Sequence, residues 1–281
     1  MAGLKDSETR LPLVSEPFGL EDQVAVVTGA SGVLGGAIAC GLAAAGARVG
    51  LLARRRERLD ELARSLGESA VALEADVLDA GQLERARATV LDRWGRVDAL
   101  VNAAGGNVTA ATVGERSFFE ISSAALDAVI RLNFHGTVLP SQIFGAAMLG
   151  GGEARPTRSI VNISSLAAHR ALTQVVGYGA AKAAVENLTR WLAVELAPHR
   201  VRVNAVAPGF FVGEQNRALL LDESGSLTAR GERIVAATPA GRLGEPHELA
   251  GTVIWLCSPA ASFVTGAVIP VDGGFDAFSG I

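Results

Sequence analysis

The sequence predicts an α/β protein: one domain built on a doubly wound parallel sheet of seven strands with helices on both faces. Three observations carry that reading. From residue 22 onward, short apolar runs alternate with helical stretches, the order that parallel βα units produce. No internal repeat or low-complexity linker divides the 281 residues, and 49% of them are apolar, enough for one large core. A glycine-rich turn follows the first apolar run and opens directly into a helical pattern.

Strands are expected at Val24–Thr28, Arg48–Leu52, Ala70–Glu74, Ala99–Asn102, Ser159–Ser164, Arg202–Ala207 and Ala267–Val271, where branched residues cluster between turn signals. Helices are expected at Leu34–Ala45, Arg56–Leu66, Ala80–Trp94, Ala124–Leu149, Val176–Ala197 and Pro246–Cys257. The fifth of these has Ala181, Val185, Leu188 and Leu192 at helical spacing and Pro198 as a stop. Residues 1–17 read as a flexible tail and 18–281 as the domain. Two connections exceed routine length, 103–122 and 209–245. Loops that long in a compact domain serve as lids or binding loops, so substrate contacts are expected there, beyond the carboxyl ends of the strands.

Composition excludes several classes. A net charge of −4 offers no basic face for nucleic acid. Cys40 and Cys257 sit in apolar helical patterns and read as buried hydrophobes, not a disulfide, which makes a reducing cytoplasm the expected compartment. Lys5, Asp6, Glu8, Arg10 and Glu16 leave no apolar stretch for a signal peptide. The uncharged run 132–152 is interrupted by Asn133, His135, Pro140, Ser141 and Gln142, so it reads as a helix between the sheet and a partner subunit, not as a membrane span. His135, His169, His199 and His247 show no metal-ligand spacing, and no metal is assigned.

The chain has a single tyrosine, Tyr178, and only two of its 25 basic residues are lysine. One of them, Lys182, follows the tyrosine by four positions and shares its helix face. A phenol with a pKa of about 10 needs help to exchange protons near neutrality. A fixed ammonium one turn away could supply it, with a compact three-donor head that arginine lacks.

The glycine turn Thr28-Gly29-Ala30-Ser31-Gly32-Val33-Leu34-Gly35 suits a pyrophosphate, which backbone amides and a helix amino terminus attract. NAD-specific domains place an acid after the second strand to hold ribose hydroxyls. Here Ala53 is followed by Arg54, Arg55 and Arg56. Cations at a helix amino terminus oppose its dipole, and a 2′-phosphate would explain them, so NADP is favoured with NAD possible. Asp76 could accept from an adenine amino group, or cap a helix together with nearby Asp79. Asn102, Ala103, Ala104 and Gly105 form a small-residue passage beside the same ligand.

These motifs resemble the short-chain dehydrogenase/reductase family over about residues 20–281, together with Asn133, the Ile163-Ser164-Ser165 run, Pro208-Gly209 and Asp272-Gly273-Gly274. The resemblance implies a Rossmann-type fold. It also implies NAD(P)-linked hydride transfer between nicotinamide and a small-molecule carbonyl or alcohol. Tyr178 would be the general acid, and Lys182 would lower its pKa and hold the nicotinamide ribose. Ser165 would orient the substrate oxygen, while Asn133 would kink its helix and hold a relay water. Val77, Pro208, Gly209 and Phe211 would join the cofactor contacts.

The chain departs from the family pattern at three places. Gly32 stands one place early with Val33 in the usual glycine position, Gly179 replaces a frequent serine, and Gly213 replaces a frequent threonine. The runs 104–107, 208–217, 263–266 and 273–280 resemble a subgroup described as D-mannonate oxidoreductases or fructuronate reductases. A sugar acid needs a cation for its carboxylate and amides for its hydroxyls. Asn107, Arg170, Gln174, Asn216 and Arg217, with Gln215, are the candidates. An unrelated ketone substrate, or a non-catalytic dinucleotide sensor, are the competing readings. By analogy with the family, the apolar outer faces of the Asn133 and Tyr178 helices imply a homotetramer.

Overall fold

The computed structural model describes residues 18–114, 117–150, 158–214 and 216–280; the tail 1–17 and Gln215 lie outside them. A single sheet of seven parallel strands forms the centre, in the order β3-β2-β1-β4-β5-β6-β7. The strands are β1 Val24–Thr28, β2 Arg48–Ala53, β3 Ala70–Glu74, β4 Ala99–Asn102, β5 Ser159–Ile163, β6 Arg202–Pro208 and β7 Val268–Val271. The principal helices are α1 Val33–Ala44, α2 Arg56–Leu66, α3 Ala80–Trp94, α4 Ser123–Ile130, α5 Gly136–Gly150, α6 Val176–Leu196, α7 Arg217–Leu220, α8 Ala229–Ala236 and α9 Pro246–Cys257.

Strand β1 shows why the sheet is covered twice. Ala25 and Val27 enter one core with Ile38 and Leu42 of α1, Leu59 of α2 and Leu249 and Val253 of α9. Val24 and Val26 enter the other, with Leu83 and Val90 of α3, Phe144 and Met148 of α5 and Ala193 of α6. Alternate residues of a strand point to opposite faces, so a run apolar at every position must be buried on both sides. Helices α1 and α9 approach closely because Gly41 has no side chain: a Cβ there would lie 2.7 Å from that of Ala250.

The order of strands reverses between β1 and β4, where the connections leave in opposite directions and open a crevice for ligands. The expected helix 124–149 is in fact two helices joined by a π-helical turn, Arg131–His135. One extra residue per turn lets Asn133 face inward without unwinding the helix. The connection 209–245, expected as a loop, carries the short helices α7 and α8. Cys40 is exposed, contrary to the apolar reading of its helix, because α1 buries only the face bearing Gly35, Ile38, Ala39 and Leu42; Cys257 is buried as expected.

Candidate active site

The glycine turn is shaped by close approaches that only hydrogen at Cα permits. Gly29 has φ +70°, and a Cβ there would meet the Ala103 carbonyl oxygen at 2.7 Å. A Cβ at Gly35 would lie 2.3 Å from the Gly29 oxygen. Thr28 fastens the two passages, its hydroxyl accepting from the Ala103 and Ala104 amides at 3.1 Å each. Helix α1 then starts at Val33 with no side-chain cap and no acid in its first turn. Its first amides therefore keep their positive potential for a bound anion, and the turn fits a dinucleotide pyrophosphate. Gly32 heads the helix from the extended region, φ −91°, so the displaced glycine does not disturb the turn.

The arginines after β2 are all paired. Arg54 lies 3.8 Å from Asp76, and Arg56 holds Asp60 one turn on. Arg55 folds back over the glycine turn, donating to the Ser31 hydroxyl at 3.3 Å and the Ser31 carbonyl at 2.7 Å. It also holds Glu214, at 2.8 Å, which Arg58 grips as well. Asp79, not Asp76, caps α3 by accepting from the Gln82 amide. Asp76 instead turns the chain by accepting from the Leu78 amide. Val77 is buried against Gly136.

Asn102 is buried at the end of β4. Its amide nitrogen donates to Ser141 and Asn162, each at 2.9 Å, and Asn162 donates on to Thr189. A buried amide in such a network braces β4 and β5 against α5 and α6. Phe211 is similar: its ring is buried in the core, and a Cβ on Gly244 would lie 2.5 Å from it. Pro208 and Gly209 end β6, where Gly209 passes so close to Asp272 that a Cβ would stand 2.7 Å from its Cα.

Tyr178, Ser165, Lys182 and Asn133 converge at the carboxyl ends of β4 and β5. Ser165 begins the 3-10 turn Leu166–Ala168, accepting from the Ala167 amide, and sits beside the Tyr178 hydroxyl, whose pKa it lowers. Gly179 makes that meeting possible: a Cβ would lie 2.7 Å from the Ala167 carbonyl oxygen, so a serine here would push the turn off the helix. Lys182 is 4% exposed; its Nζ donates to the Ile163 carbonyl at 2.7 Å and stands 5.6 Å from the Tyr178 ring centre. Gly105 passes beside both lysine and asparagine: a Cβ there would meet Asn133 Oδ1 at 2.7 Å and Lys182 Nζ at 3.3 Å.

Burial dominates the electrostatics of the pair. Burial raises the pKa of the Tyr178 phenol above its usual value, and Ser165 offsets this only in part. Burial also lowers the Lys182 ammonium to about 8. The Asn133 oxygen accepts from the Gly106 amide, and its nitrogen donates to the Gly106 and Val129 carbonyls, which fixes the side chain at both ends.

The substrate candidates divide. Arg170 is committed to Asp276 at 2.7 Å. Asn216 folds its own loop, accepting from the Gly213 amide and donating to the Phe211 carbonyl. Gly213 itself contributes only backbone to this turn. Asn107 turns its oxygen onto the next amide, at 3.0 Å. Arg217 is exposed at the start of α7. Gln174, at φ +76°, ties its carbonyl to the Val113 amide and its side chain to Arg230.

Arg230 was not anticipated. Its guanidinium bridges α8 to Thr173 and Gln174, just before Tyr178, and makes no ion pair among the described residues. Only an uncompensated cation fixed by neutral oxygens would have marked it, and that is a property of the folded lid. Glu186, one turn beyond Lys182, was also missed; it is buried and accepts from the Ser164 hydroxyl at 2.9 Å.

A family model described as enoyl-(acyl carrier protein) reductase matches residues 29–276. The chain belongs to the short-chain dehydrogenase/reductase family. An uncharacterized oxidoreductase of Bacillus subtilis, UxuB, is 42% identical over 275 residues, covering 93% of this chain and 98% of its own. Galactitol 2-dehydrogenase (L-tagatose-forming) of Cereibacter sphaeroides is 38% identical, with 92% and 96% covered. A solved structure provisionally described as a D-mannonate oxidoreductase, from Haemophilus influenzae with bound NAD, superimposes with a TM-score of 0.86 at 38% identity, covering 94% of this chain and 98% of that one. A gluconate 5-dehydrogenase from Burkholderia cenocepacia, in complex with NADP and tartrate, gives 0.84 at 31% identity, with 95% and 100% covered. This chain is accordingly an oxidoreductase acting on CH–OH groups that uses a nicotinamide dinucleotide. No helix among the described residues is long and apolar enough to cross a membrane.

Proposed function

We propose that this protein interconverts a keto sugar acid of the D-fructuronate class with its alcohol, of the D-mannonate class, as a cytoplasmic homotetramer that prefers NADP and accepts NAD. The observation that carries the reading is the Tyr178 hydroxyl beside Ser165, below a lid whose Arg230 makes no ion pair among the described residues.

The nicotinamide, when bound, supplies or accepts the hydride. The protein's own residues do the rest. Ser165 and Tyr178 together address the substrate oxygen, and the raised phenol keeps its proton through the neutral range. A group that is protonated at pH 7 and aimed at a carbonyl is a proton donor, so the resting site is arranged for reduction. Lys182 holds a ribose hydroxyl and Asn133 locks the Gly105–Gly106 passage beside it. Gly29, Ser31, Gly32, Val33, Leu34 and Gly35 hold the pyrophosphate, and Arg54 and Arg55 reach the adenosine ribose. Arg230 takes the substrate carboxylate and replaces Arg170, which Asp276 already occupies. The tetramer reading draws on Trp191 and Val194, exposed apolar residues on the outer face of α6.

Cofactor oxidation followed with D-fructuronate, D-tagaturonate and uncharged ketoses, each with NADPH and NADH, tests the assignment. Turnover of the uronates well above that of the ketoses is expected. Faster turnover of uncharged ketoses would remove the carboxylate from the reading and leave a polyol dehydrogenase.

A further inference from the structure

The lid reaches across the molecule at one point. Glu214, in its first turn, is held by Arg55 and Arg58 of the segment that starts α2, 159 and 156 residues away in sequence. Arg55 is simultaneously bound to the hydroxyl and carbonyl of Ser31 in the glycine turn. The other cations nearby have local partners: Arg54 faces Asp76 and Arg56 faces Asp60. Among the described residues, Glu214 alone brings a carboxylate to this spot from the substrate side.

A carboxylate gripped by two guanidiniums beside a glycine turn occupies the position that a phosphate would take. We propose that Glu214 is a specificity-determining residue for the cofactor: it competes with the 2′-phosphate of NADP for Arg55 and Arg58, and so couples the identity of the dinucleotide to the tether of the lid. The inference rests on the dinucleotide reading above. With NAD, the ribose carries no 2′ anion, and Glu214 keeps both arginines. With NADP, the 2′-phosphate takes them, because like charges cannot share one guanidinium pair without repulsion. The lid then loses its anchor to α2. The basic segment that favours NADP in the sequence is thereby weakened as an NADP site by a residue far from it in the chain. Both cofactors remain usable, with a preference smaller than two free arginines would give.

Isothermal titration of the full-length protein and of Glu214→Gln with NADP, NAD, 2′,5′-ADP and 5′-AMP tests this without turnover. Glu214→Gln is expected to tighten NADP and 2′,5′-ADP by about 3- to 10-fold, the scale of an exposed ion pair. NAD and 5′-AMP should stay within about twofold, since no 2′ anion is involved. Limited trypsin digestion adds a structural readout, because Arg217 lies in the tethered turn. Cleavage after Arg217 should be faster with saturating NADP than with NAD, and Glu214→Gln should abolish that difference. An unchanged NADP-to-NAD affinity ratio in the variant overturns the competition, as does equal tightening of all four ligands. Failure of either dinucleotide to bind the wild-type protein would overturn the dinucleotide reading and this inference with it.

Discussion

Between Thr28 and Gly35 the chain is positioned by missing atoms, whereas between Gly209 and Glu245 it is positioned by side chains bound to one another. In the first region Gly29 and Gly35 let backbone meet backbone, and no side chain caps the helix that follows. In the second, Asn216 holds the Gly213 amide and the Phe211 carbonyl, Glu214 holds arginines of α2, and Arg230 holds Gln174. The first arrangement has nothing left to rearrange. The second consists of surface pairs of the kind worth about 0–1 kcal/mol each, which a ligand can exchange. The contrast fits a site that keeps one cofactor chemistry while its substrate changes.

Four results would break or sharpen that contrast. The largest effect is expected for Tyr178→Phe. It removes the proton donor, so single-turnover reduction should fall by about 10²–10⁴, with dinucleotide affinity by calorimetry unchanged. Undiminished turnover would end the acid–base reading. Next comes Gly35→Ala. Its methyl would collide with the Gly29 oxygen, so NAD and NADP should both weaken, by about tenfold or more. Weakening of one alone would mean that the turn reads more than the pyrophosphate.

Arg230→Gln is expected to raise KM for uronates by about 10- to 100-fold, the range of a hydrogen bond to a charged group, and to leave uncharged ketoses unaffected. Arg170→Gln is the control, since its partner is Asp276, and its uronate KM should move by less than about threefold. An inverted result would return the carboxylate to the sequence-derived arginine.

The smallest effect concerns Lys182. Its pKa is about 8 folded and 10.5 unfolded, so between those values the unfolded chain binds more protons. Stability from this group is therefore absent below pH 8 and returns as pH rises toward 10.5. Wild type should gain about 2 kcal/mol relative to Lys182→Met between pH 7 and pH 10 in denaturant titrations. A gap that does not change with pH would mean that the ammonium is not desolvated.

The sheet was readable because its strands are short runs rich in branched apolar residues, and five of the six expected helices followed from their pattern. Tyr178 and Lys182 stood out through scarcity, and Ser165 and Asn133 through the family motifs. The readable features share one property: a local pattern determines them. What escaped depends on the folded arrangement. The π-helical turn at Asn133 shows no break in hydrophobic period. The partners of Arg170, Arg230 and Glu214 lie 106, 56 and 159 residues away, beyond any spacing rule. The burial that raises the tyrosine and depresses the lysine likewise depends on the folded arrangement.

The hydrogen atom at Gly179 has a consequence for how such a protein diversifies. Because the turn bearing Ser165 rests directly on helix backbone at that residue, the proton-transfer pair keeps its spacing whatever happens to the residues roofing the site. A descendant could exchange its lid wholesale and inherit working chemistry on the first day, needing only to learn a new molecule's outline.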